Sequence, residues 1–178
     1  MKKRIVIVGA GGLGKEIACL INDLADFEVV GFYDDGLTQG ELVLGKYEVL
    51  GNIQSLQEMQ SEVSVAIAFG NPKTRKNCWS ALQENSNIHF PNIIHPSALL
   101  INIERIQMGK GVIVFPFAVL TTDLSLGNNV VIHTGASVHH DVSVGNHSVI
   151  MPGARLVMSE QFDEATFVES NYFKTHSF

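Results

Sequence analysis

The hydrophobic pattern of the N-terminal half alternates between two periods. Residues 3–9, KRIVIVG, form a continuous β-branched apolar run, which is typical of a strand buried on both faces of a parallel sheet. Four apolar residues then recur at helical spacing: Ile17, Leu20, Ile21 and Leu24. Residues 28–35, EVVGFYDD, and 63–71, VSVAIAFGN, predict two further strands, and the segment from Pro72 predicts a helix. Alternating strands and helices indicate an open parallel α/β domain.

The C-terminal half has a period of six. From Ile106 the chain divides into eight hexads: IQMGKG, VIVFPF, AVLTTD, LSLGNN, VVIHTG, ASVHHD, VSVGNH and SVIMPG. The third residue of each is apolar and the first is small or aliphatic, and this first-position register extends upstream to Ile94 and Leu100. Such a period is typical of short strands and turns wound around a prism, with three hexads to a coil and coils stacked about 4.8 Å apart. The pattern therefore predicts a parallel β-solenoid.

These patterns predict a Rossmann-like domain over residues 1–92 and a solenoid over residues 93–156. After Leu156 the apolar columns stop, so we expect residues 157–178 to form a non-repeat tail. Such a tail would be a helix or an irregular cap, because an uncovered solenoid end exposes strand edges and core. Five residues could provide the cover: Phe162, Phe167, Val168, Tyr172 and Phe173.

Composition and charge restrict the class of protein. The 178 residues carry a formal net charge of −6 and show no basic face, which argues against nucleic-acid binding. Cys19 and Cys78 lack metal-type spacing and fit a reducing compartment. The N-terminal apolar run is too short for a signal peptide, and no stretch approaches the length of a membrane span. We therefore expect a soluble cytoplasmic protein without membrane insertion.

A glycine motif follows the first strand. Gly9, Gly11 and Gly14 match G-x-G-x-x-G, and Asp34 ends the second predicted strand. Glycines at this place let backbone N–H groups approach a phosphate at a helix N-terminus, and the acid can accept from a sugar or base donor. The motif indicates a phosphate-containing nucleotide without identifying it, while NAD and a tight turn without ligand remain alternatives. The α/β segment ends near residue 90, which is too short for a full dinucleotide fold.

The order of several segments resembles a known family. They are IVIVGAGGLGKEI, FYDD, IAFGNPKTRK, NIIHPSALL, GVIVFPFAVL and HTGASVHHDVSVGNHSVIMPGA. Over residues 4–156 this set resembles the sugar acyltransferases of the PglD and NeuD type, within the hexapeptide-repeat acyltransferases. The resemblance implies a small nucleotide-sugar-binding domain followed by a left-handed parallel β-helix. It also implies a homotrimer whose active sites lie between neighbouring prisms.

The implied activity is transfer of an acetyl group from acetyl-CoA to a nucleotide-linked amino sugar, such as a UDP-amino sugar, or to a sialic-acid-like sugar. This reaction belongs to surface-glycan biosynthesis and needs no metal. By resemblance His140 is the general base and Asp141 its supporting carboxylate, and an imidazole suits that role because it titrates near neutrality. Direct attack is implied, since no G-x-S-x-G elbow is present. The implied substrate-binding residues are Gly11, Gly12, Asp34, Asp35, Gly70 and Asn71.

Three other histidines flank the implied base. In the hexad frame His133 and His139 share one position, His140 takes the next and His147 the one after. His133 and His139 fall on successive faces of the prism, about a third of a turn apart, and should not converge easily on a metal ion. We expect His133 and His147 to be solvated turn residues, and His139 to lie on the surface or at an interface.

Two residues depart from the family pattern. Leu13 stands where the family has histidine, and Met158 where it typically has a glycine whose N–H binds the thioester carbonyl. With the lost register after Leu156, they suggest an alternative: a shortened homologue that binds a nucleotide sugar without efficient acetyl transfer, or that pairs with an intact partner. A third reading, an NAD(P)-linked oxidoreductase, rests on the glycine motif alone.

Overall fold

The computed structural model describes residues 2–174, which divide into two compact units. The first contains the chain up to Gly70 together with Thr74–Pro91, and the second contains Asn71–Lys73 and the chain from Asn92 onward. The division after Pro91 lies next to the predicted boundary after residue 92. Within residues 2–174, no helix is long and apolar enough to cross a membrane.

The N-terminal fold is built on one six-stranded sheet with the strand order β3-β4-β2-β1-β5-β6. All neighbouring strands are parallel except the antiparallel pair β3–β4. The elements are β1 (Lys3–Val8), α1 (Gly12–Asn22), β2 (Phe27–Tyr33), β3 (Leu42–Val43), β4 (Tyr47–Gly51), α2 (Ile53–Gln57), β5 (Val63–Ile67), α3 (Pro72–Leu82) and β6 (Ile88–His89). The predicted parallel α/β fold is confirmed. Ile5, Ile7 and Val8 are wholly buried, as the continuous apolar run requires.

The glycine turn brings helix α1 very close to strand β1. A Cβ atom on Gly14 would overlap the carbonyl oxygen of Gly9, so no other residue fits there without moving backbone. Gly9 itself has φ of +101°, a conformation that side chains rarely permit. By contrast, a Cβ on Gly12 would meet nothing within 4 Å.

The C-terminal unit is a left-handed β-helix of short strands and one 3₁₀ turn. Its elements are β7 (Ile93–Ile94), β8 (Leu99–Leu100), the 3₁₀ turn (Ile103–Arg105), β9 (Ile106–Met108), β10 (Ile113–Val114), β11 (Val119–Leu120), β12 (Leu124–Leu126), β13 (Val131–Ile132), β14 (Ser137–Val138), β15 (Ser143–Val144), β16 (Val149–Ile150), β17 (Arg155–Leu156), β18 (Gln161–Phe162) and β19 (Phe167–Val168). They form three parallel sheets, in the orders β19-β16-β13-β10-β7, β17-β14-β11-β8 and β18-β15-β12-β9. The predicted solenoid is confirmed.

The first coil contains two more residues than the later ones. Partners in neighbouring coils are 18 residues apart along most of the prism, but 20 apart at its start. As a result Ile94 pairs with Val114 and Leu100 with Leu120, which are third-position residues. The first-position register predicted upstream of Ile106 is therefore wrong. The 3₁₀ turn Ile103–Arg105 lies in the longer part of this coil.

Every hexad ends in the left-handed backbone region. The sixth residue has φ between 54° and 71° in all hexads from Gly111 to Asn171, although only three of these residues are glycine. An L-residue in this conformation costs roughly 1–2 kcal/mol. The corners of the prism therefore impose this conformation once per hexad, and its cost at the positions that are not glycine is offset by burial of the apolar columns along the prism axis.

The structure differs from the prediction of a non-repeat tail over residues 157–178. Strands β18 and β19 add to two of the three sheets, and Phe173 forms a parallel bridge with Arg155. Three residues of the presumed cover point into the prism core, namely Phe162, Val168 and Tyr172. Residues 157–174 thus continue the β-helix, while residues 175–178 lie outside the described residues.

A buried carboxylate explains why the apolar pattern hides this last coil. Glu160 stands in the first-position column, which is otherwise small or aliphatic upstream, and its side chain is buried. Oε2 accepts from the Val157 N–H at 2.9 Å and Oε1 accepts from the Tyr172 hydroxyl at 2.8 Å. A buried polar group is tolerated when hydrogen bonds satisfy it.

The replacements Gly14→Ala and Gly12→Ala should have opposite effects on stability. We expect Gly14→Ala to lower the free energy of unfolding by about 3 kcal/mol or more, because the methyl group overlaps backbone. Gly12→Ala should leave it unchanged or raise it by up to about 1 kcal/mol. Denaturant unfolding followed by the fluorescence of Trp79, the single tryptophan, reports on this unit. Equal losses in the two variants would contradict the close approach of Gly14 to Gly9.

Candidate functional site

His140 and Asp141 meet at the prism corner between β14 and β15. His140 Nδ1 lies 2.8 Å from Asp141 Oδ2, and the two side chains are 53% and 57% exposed. When Nδ1–H donates to the carboxylate, the neutral ring keeps Nε2 as an acceptor. The pair predicted from the sequence is therefore assembled, with its second ring nitrogen available to a ligand.

A second carboxylate stacks directly next to this pair. Asp123 occupies the same hexad position one coil earlier, and its carbonyl oxygen accepts from the Asp141 N–H at 2.9 Å. Its side chain forms an ion pair with Arg105, whose Nε donates to Oδ1 at 2.6 Å, and Thr122 Oγ1 donates to Oδ2 at 3.1 Å. The hydrogen bond from Arg105 lowers the pKa of Asp123, and the same bond raises the pKa of Arg105.

The turn at residues 157–159 lies one coil further along the same corner. The Ser159 N–H donates to the His140 carbonyl at 3.4 Å. Gln161 Nε2 donates to the carbonyls of Asp141 and Ser159 at 3.3 and 3.4 Å. Met158 has φ of +42°, and its N–H takes part in none of the hydrogen bonds within residues 2–174. A backbone donor is thus present where the family pattern has glycine.

An open groove of about 620 Å³ begins at this corner and continues along the outer face of the sheet β18-β15-β12-β9. Its lining is mostly polar: Glu104, Arg105, Gln107, Asp123, Leu124, Ser125, Asp141, Val142, Ser143 and Gln161. The groove therefore offers both charged and neutral hydrogen-bonding groups next to Asp141, the partner of the imidazole.

In the N-terminal fold, Asp34 holds the glycine turn. Its Oδ2 accepts from the Ala10 N–H at 2.7 Å and its Oδ1 from the Gly36 N–H at 2.8 Å. Asp35 Oδ1 accepts from the Ile53 N–H at the start of α2, at 2.9 Å. Both predicted substrate residues thus make backbone hydrogen bonds that shape the carboxyl ends of the strands. Open α/β sheets bind their ligands at such ends.

The predicted glycines border open space. A Cβ atom on Gly11, Gly12 or Gly70 would meet nothing within 4 Å, and Asn71 is exposed. Gly11 is the N-cap of helix α1 and has no side chain to cap the helix. The N-terminal N–H groups of a helix attract anions, and here a ligand can approach them closely.

Arg75 was not found by sequence reasoning. Its side chain is wholly buried, and Nη1 donates to the carbonyl oxygens of Ile67 at 2.8 Å and Phe69 at 3.2 Å. Burial lowers the pKa of the guanidinium to about 9, so it stays charged at neutral pH. The arginine fixes the carboxyl end of β5 just before Gly70. Its signal in the sequence was only its place in the segment GNPKTRK.

His133 and His147 lie at other corners than His140, whereas His139 lies in the same turn. His133 and His147 differ from the expected solvated residues because both are buried. The His133 ring stacks on Phe115 with centroids 4.4 Å apart, and His147 Nδ1 lies 3.2 Å from Asn129 Nδ2. His139 is half-buried. Among the described residues, no group of three or more His, Cys, Asp or Glu side chains is placed to hold a metal ion.

Comparison with known families agrees with both units. Residues 4–82 match the PglD N-terminal domain, and residues 123–157 match the bacterial transferase hexapeptide family of six repeats. The chain thus resembles a PglD N-terminal domain followed by bacterial transferase hexapeptide repeats. The resemblance predicted from the sequence is confirmed. His140, Asp141 and Asp123 all lie within the matched hexapeptide segment, and Gly11, Asp34 and Arg75 within the matched PglD N-terminal domain.

Three solved structures share this two-part fold. The acetyltransferase domain of PglB from Neisseria gonorrhoeae FA1090, in complex with acetyl coenzyme A, is 24% identical with a TM-score of 0.70, over 96% of this chain and 84% of that one. WeeI from Acinetobacter baumannii AYE is 23% identical with a TM-score of 0.83, over 98% and 82%. A mutant of GDP-perosamine N-acetyl transferase from Caulobacter crescentus, in complex with CoA and GDP-perosamine, is 24% identical with a TM-score of 0.77, over 96% and 87%. The chain has no match among curated proteins.

Replacing Asp34 should destabilise the PglD N-terminal domain more than replacing Asp35. Asp34→Asn keeps one acceptor oxygen and leaves one of two backbone N–H groups without its partner, which should cost about 1–3 kcal/mol of unfolding free energy. Asp35→Asn keeps the single acceptor that Ile53 uses, so its cost should stay below about 1 kcal/mol. Trp79 fluorescence during denaturant unfolding measures both. A larger loss for Asp35→Asn would contradict the assignment of Asp34 as the residue that holds the turn.

Proposed function

We propose that this chain transfers an acetyl group from acetyl-CoA to the amino group of a nucleotide-linked sugar. The observation that carries the proposal is the exposed His140 imidazole, hydrogen-bonded through Nδ1 to Asp141 on a hexapeptide prism. The proteins of similar fold support the chemistry. The PglB domain is in complex with acetyl coenzyme A, and the Caulobacter crescentus enzyme is in complex with CoA and GDP-perosamine.

The proposed step is direct attack in a ternary complex. The sugar amine attacks the thioester carbonyl while His140 Nε2 accepts its proton, and Asp141 stabilises the resulting imidazolium. The carbon–sulfur bond then breaks, and the CoA sulfur leaves and takes up a proton from the imidazolium. We assign the Met158 N–H as the donor to the developing oxyanion, because it takes part in none of the hydrogen bonds within residues 2–174 and lies one coil beyond His140. No covalent acyl-enzyme is required.

The nucleotide part of the substrate is assigned to the PglD N-terminal domain. Gly11 and Gly12 leave the start of α1 open to phosphate oxygens, and Gly70 leaves equal room at the end of β5. Asp34, Asp35 and Arg75 act indirectly in this scheme, because their hydrogen bonds fix the surrounding backbone. A UDP-linked amino sugar, a role in surface-glycan biosynthesis and a cytoplasmic location stay predictions.

A second candidate function is binding of the nucleotide sugar without efficient transfer. Met158 favours it, because a side chain that is 41% exposed stands where the family pattern has glycine, beside the proposed thioester site. The continuation of the β-helix through residues 157–174 favours the enzyme instead, since the prism extends beyond His140. The two functions differ in whether acetyl-CoA binds and reacts.

His140→Ala should abolish transfer while leaving nucleotide-sugar binding intact. The test measures CoA release from acetyl-CoA with GDP-perosamine and UDP-amino sugars as acceptors, and calorimetry with each ligand alone. General-base catalysis contributes about 10²–10⁴-fold, so we expect a loss of that order. His139→Ala is the matched control and should retain turnover. Unchanged turnover in His140→Ala would contradict the base assignment, and sugar binding without acetyl-CoA binding would favour the second function.

The active assembly is proposed to be a homotrimer of this chain. Four large apolar side chains near the start of the prism are more than half exposed: Leu99, Ile101, Ile103 and Phe117. Exposed apolar groups of this kind mark association surfaces. Leu99 lies on β8, and Ile103 begins the 3₁₀ turn that ends with Arg105. Arg105 pairs with Asp123, which is bonded to Asp141, so a second copy that covers Ile103 would lie close to the candidate site.

The double replacement Leu99→Ser and Phe117→Ser should reduce the assembly to monomers. Each buried side chain of this size contributes about 1.5–3 kcal/mol, so losing two on every protomer weakens association strongly. Sedimentation velocity measures the species directly. Leu42→Ser is the control, because Leu42 is 58% exposed but lies on β3 in the other unit. A monomeric unmodified protein, or an unchanged trimer in the double variant, would contradict this surface.

A further inference from the structure

The corner that carries His140 holds two carboxylates in the same column. Asp123 and Asp141 both end a hexad, with φ of 54° and 61°, and their backbones are joined by the 2.9 Å hydrogen bond. Only Asp141 bonds the imidazole. A second carboxylate in the next coil of the same column can compete with Asp141 for the imidazole. For Asp141 to be the single carboxylate partner of His140, the Asp123 carboxylate must be held by other groups.

Arg105 and Thr122 occupy that second carboxylate. Arg105 bonds Oδ1 through Nε and pairs with it through Nη2, while Thr122 Oγ1 donates to Oδ2. The arginine ends the 3₁₀ turn in the lengthened first coil, and its own N–H donates to the Asn102 carbonyl at 3.0 Å. Arg105 lies 18 residues before Asp123, so the regular register of β9 and β12 places a cation beside the column of carboxylates.

We propose that the Arg105–Asp123 pair positions the base of this site. It holds the second carboxylate away from His140 and offsets its charge, so that the imidazole has Asp141 as its single carboxylate partner. The inference rests on the proposed function, because it assigns the pair a role in acetyl transfer. Arg105 and Asp123 are positioning residues that act through His140 and Asp141.

The charges that face this corner come from each packed turn. The turn of His140 carries Asp141 and His139, the preceding coil carries Asp123, and the first coil carries Glu104 and Arg105. In the following coil, the side chains of Val157, Met158 and Ser159 are uncharged. Glu160 is buried, and its carboxylate accepts hydrogen bonds from Val157 and Tyr172. Arg105 is thus the one permanent positive charge among these groups. Removing Arg105 leaves the negative charges of Asp123, Asp141 and Glu104 without a nearby positive charge, and this favours the protonated imidazole.

The test compares Arg105→Gln, Asp123→Asn and the double variant. NMR follows the titration of the His140 ring, and the pH dependence of kcat/KM follows the reaction. Arg105→Gln should move both midpoints up by roughly half a pH unit, the size expected of one charge several ångströms away in a solvated setting. Below the midpoint this is a loss of about threefold in kcat/KM, because less of the base is neutral. Asp123→Asn should move the midpoints down, and the double variant should return close to the unmodified protein.

Two controls separate positioning from a structural role. Lys110→Gln removes the same charge from another corner and should leave both midpoints in place. Arg105→Lys keeps the charge and should keep the midpoints if Arg105→Gln proves too unstable to measure. Shifts of the same sign in Arg105→Gln and Asp123→Asn, or no shift in either, would overturn the inference. If His140→Ala keeps full turnover, the base assignment fails. If the His140 ring midpoints of Arg105→Gln and Asp123→Asn still shift as expected, the influence of the pair on the imidazole stands.

Discussion

The C-terminal unit depends on backbone pairing that aligns residues 18 positions apart. This register puts Asp123 beside Asp141 and Thr122 beside His140, although nothing in the local sequence joins them. The same register puts Arg105 beside Asp123, because β9 pairs with β12 at an 18-residue separation. A shift of one residue in any coil would turn inward side chains outward. The side chains that meet at this corner are therefore determined by the register, and each coil contributes one set of them.

Side chains at the turns help to hold that register. Asn146 Oδ1 accepts from the Asn128 N–H at 2.7 Å, and Asn128 Oδ1 accepts from the Lys110 N–H at 2.8 Å. Glycine is needed beside each amide, since a Cβ on Gly127 would lie 2.5 Å from Asn146 Oδ1. In the last coil the Gly–Asn pair is replaced by Asp163 and a glutamate. The amide ladder therefore ends one coil before the described sheets do, and backbone pairing with the buried Glu160 cluster holds the last coil.

The repeating apolar columns could be predicted from the sequence, whereas side-chain contacts that occur once in the fold could not. The apolar columns predicted the prism, and the family resemblance assigned the roles of His140 and Asp141 in the HHD segment. Glu160 broke a column and hid the last coil, since its partners Val157 and Tyr172 become neighbours only after folding. Asp34 was expected to face a ligand, but its carboxylate accepts from the glycine turn. The position of Asp34 in the sequence predicts that it lies at the end of a strand, but its hydrogen-bond partner is determined by the folded structure.

Backbone strain does not by itself mark the candidate site. Asp141 has φ of +61°, and in many folds a side-chain-bearing residue in that region points to function. In this prism the same conformation recurs at the end of every hexad from residue 111 to 171, so at Asp141 it is an ordinary feature of the corner. What distinguishes the corner is side-chain chemistry: an imidazole preceding a carboxylate, with an ion pair one coil away. A hexapeptide prism therefore offers many equivalent corners, and a few substitutions at one of them assemble a site without any new strain in the backbone.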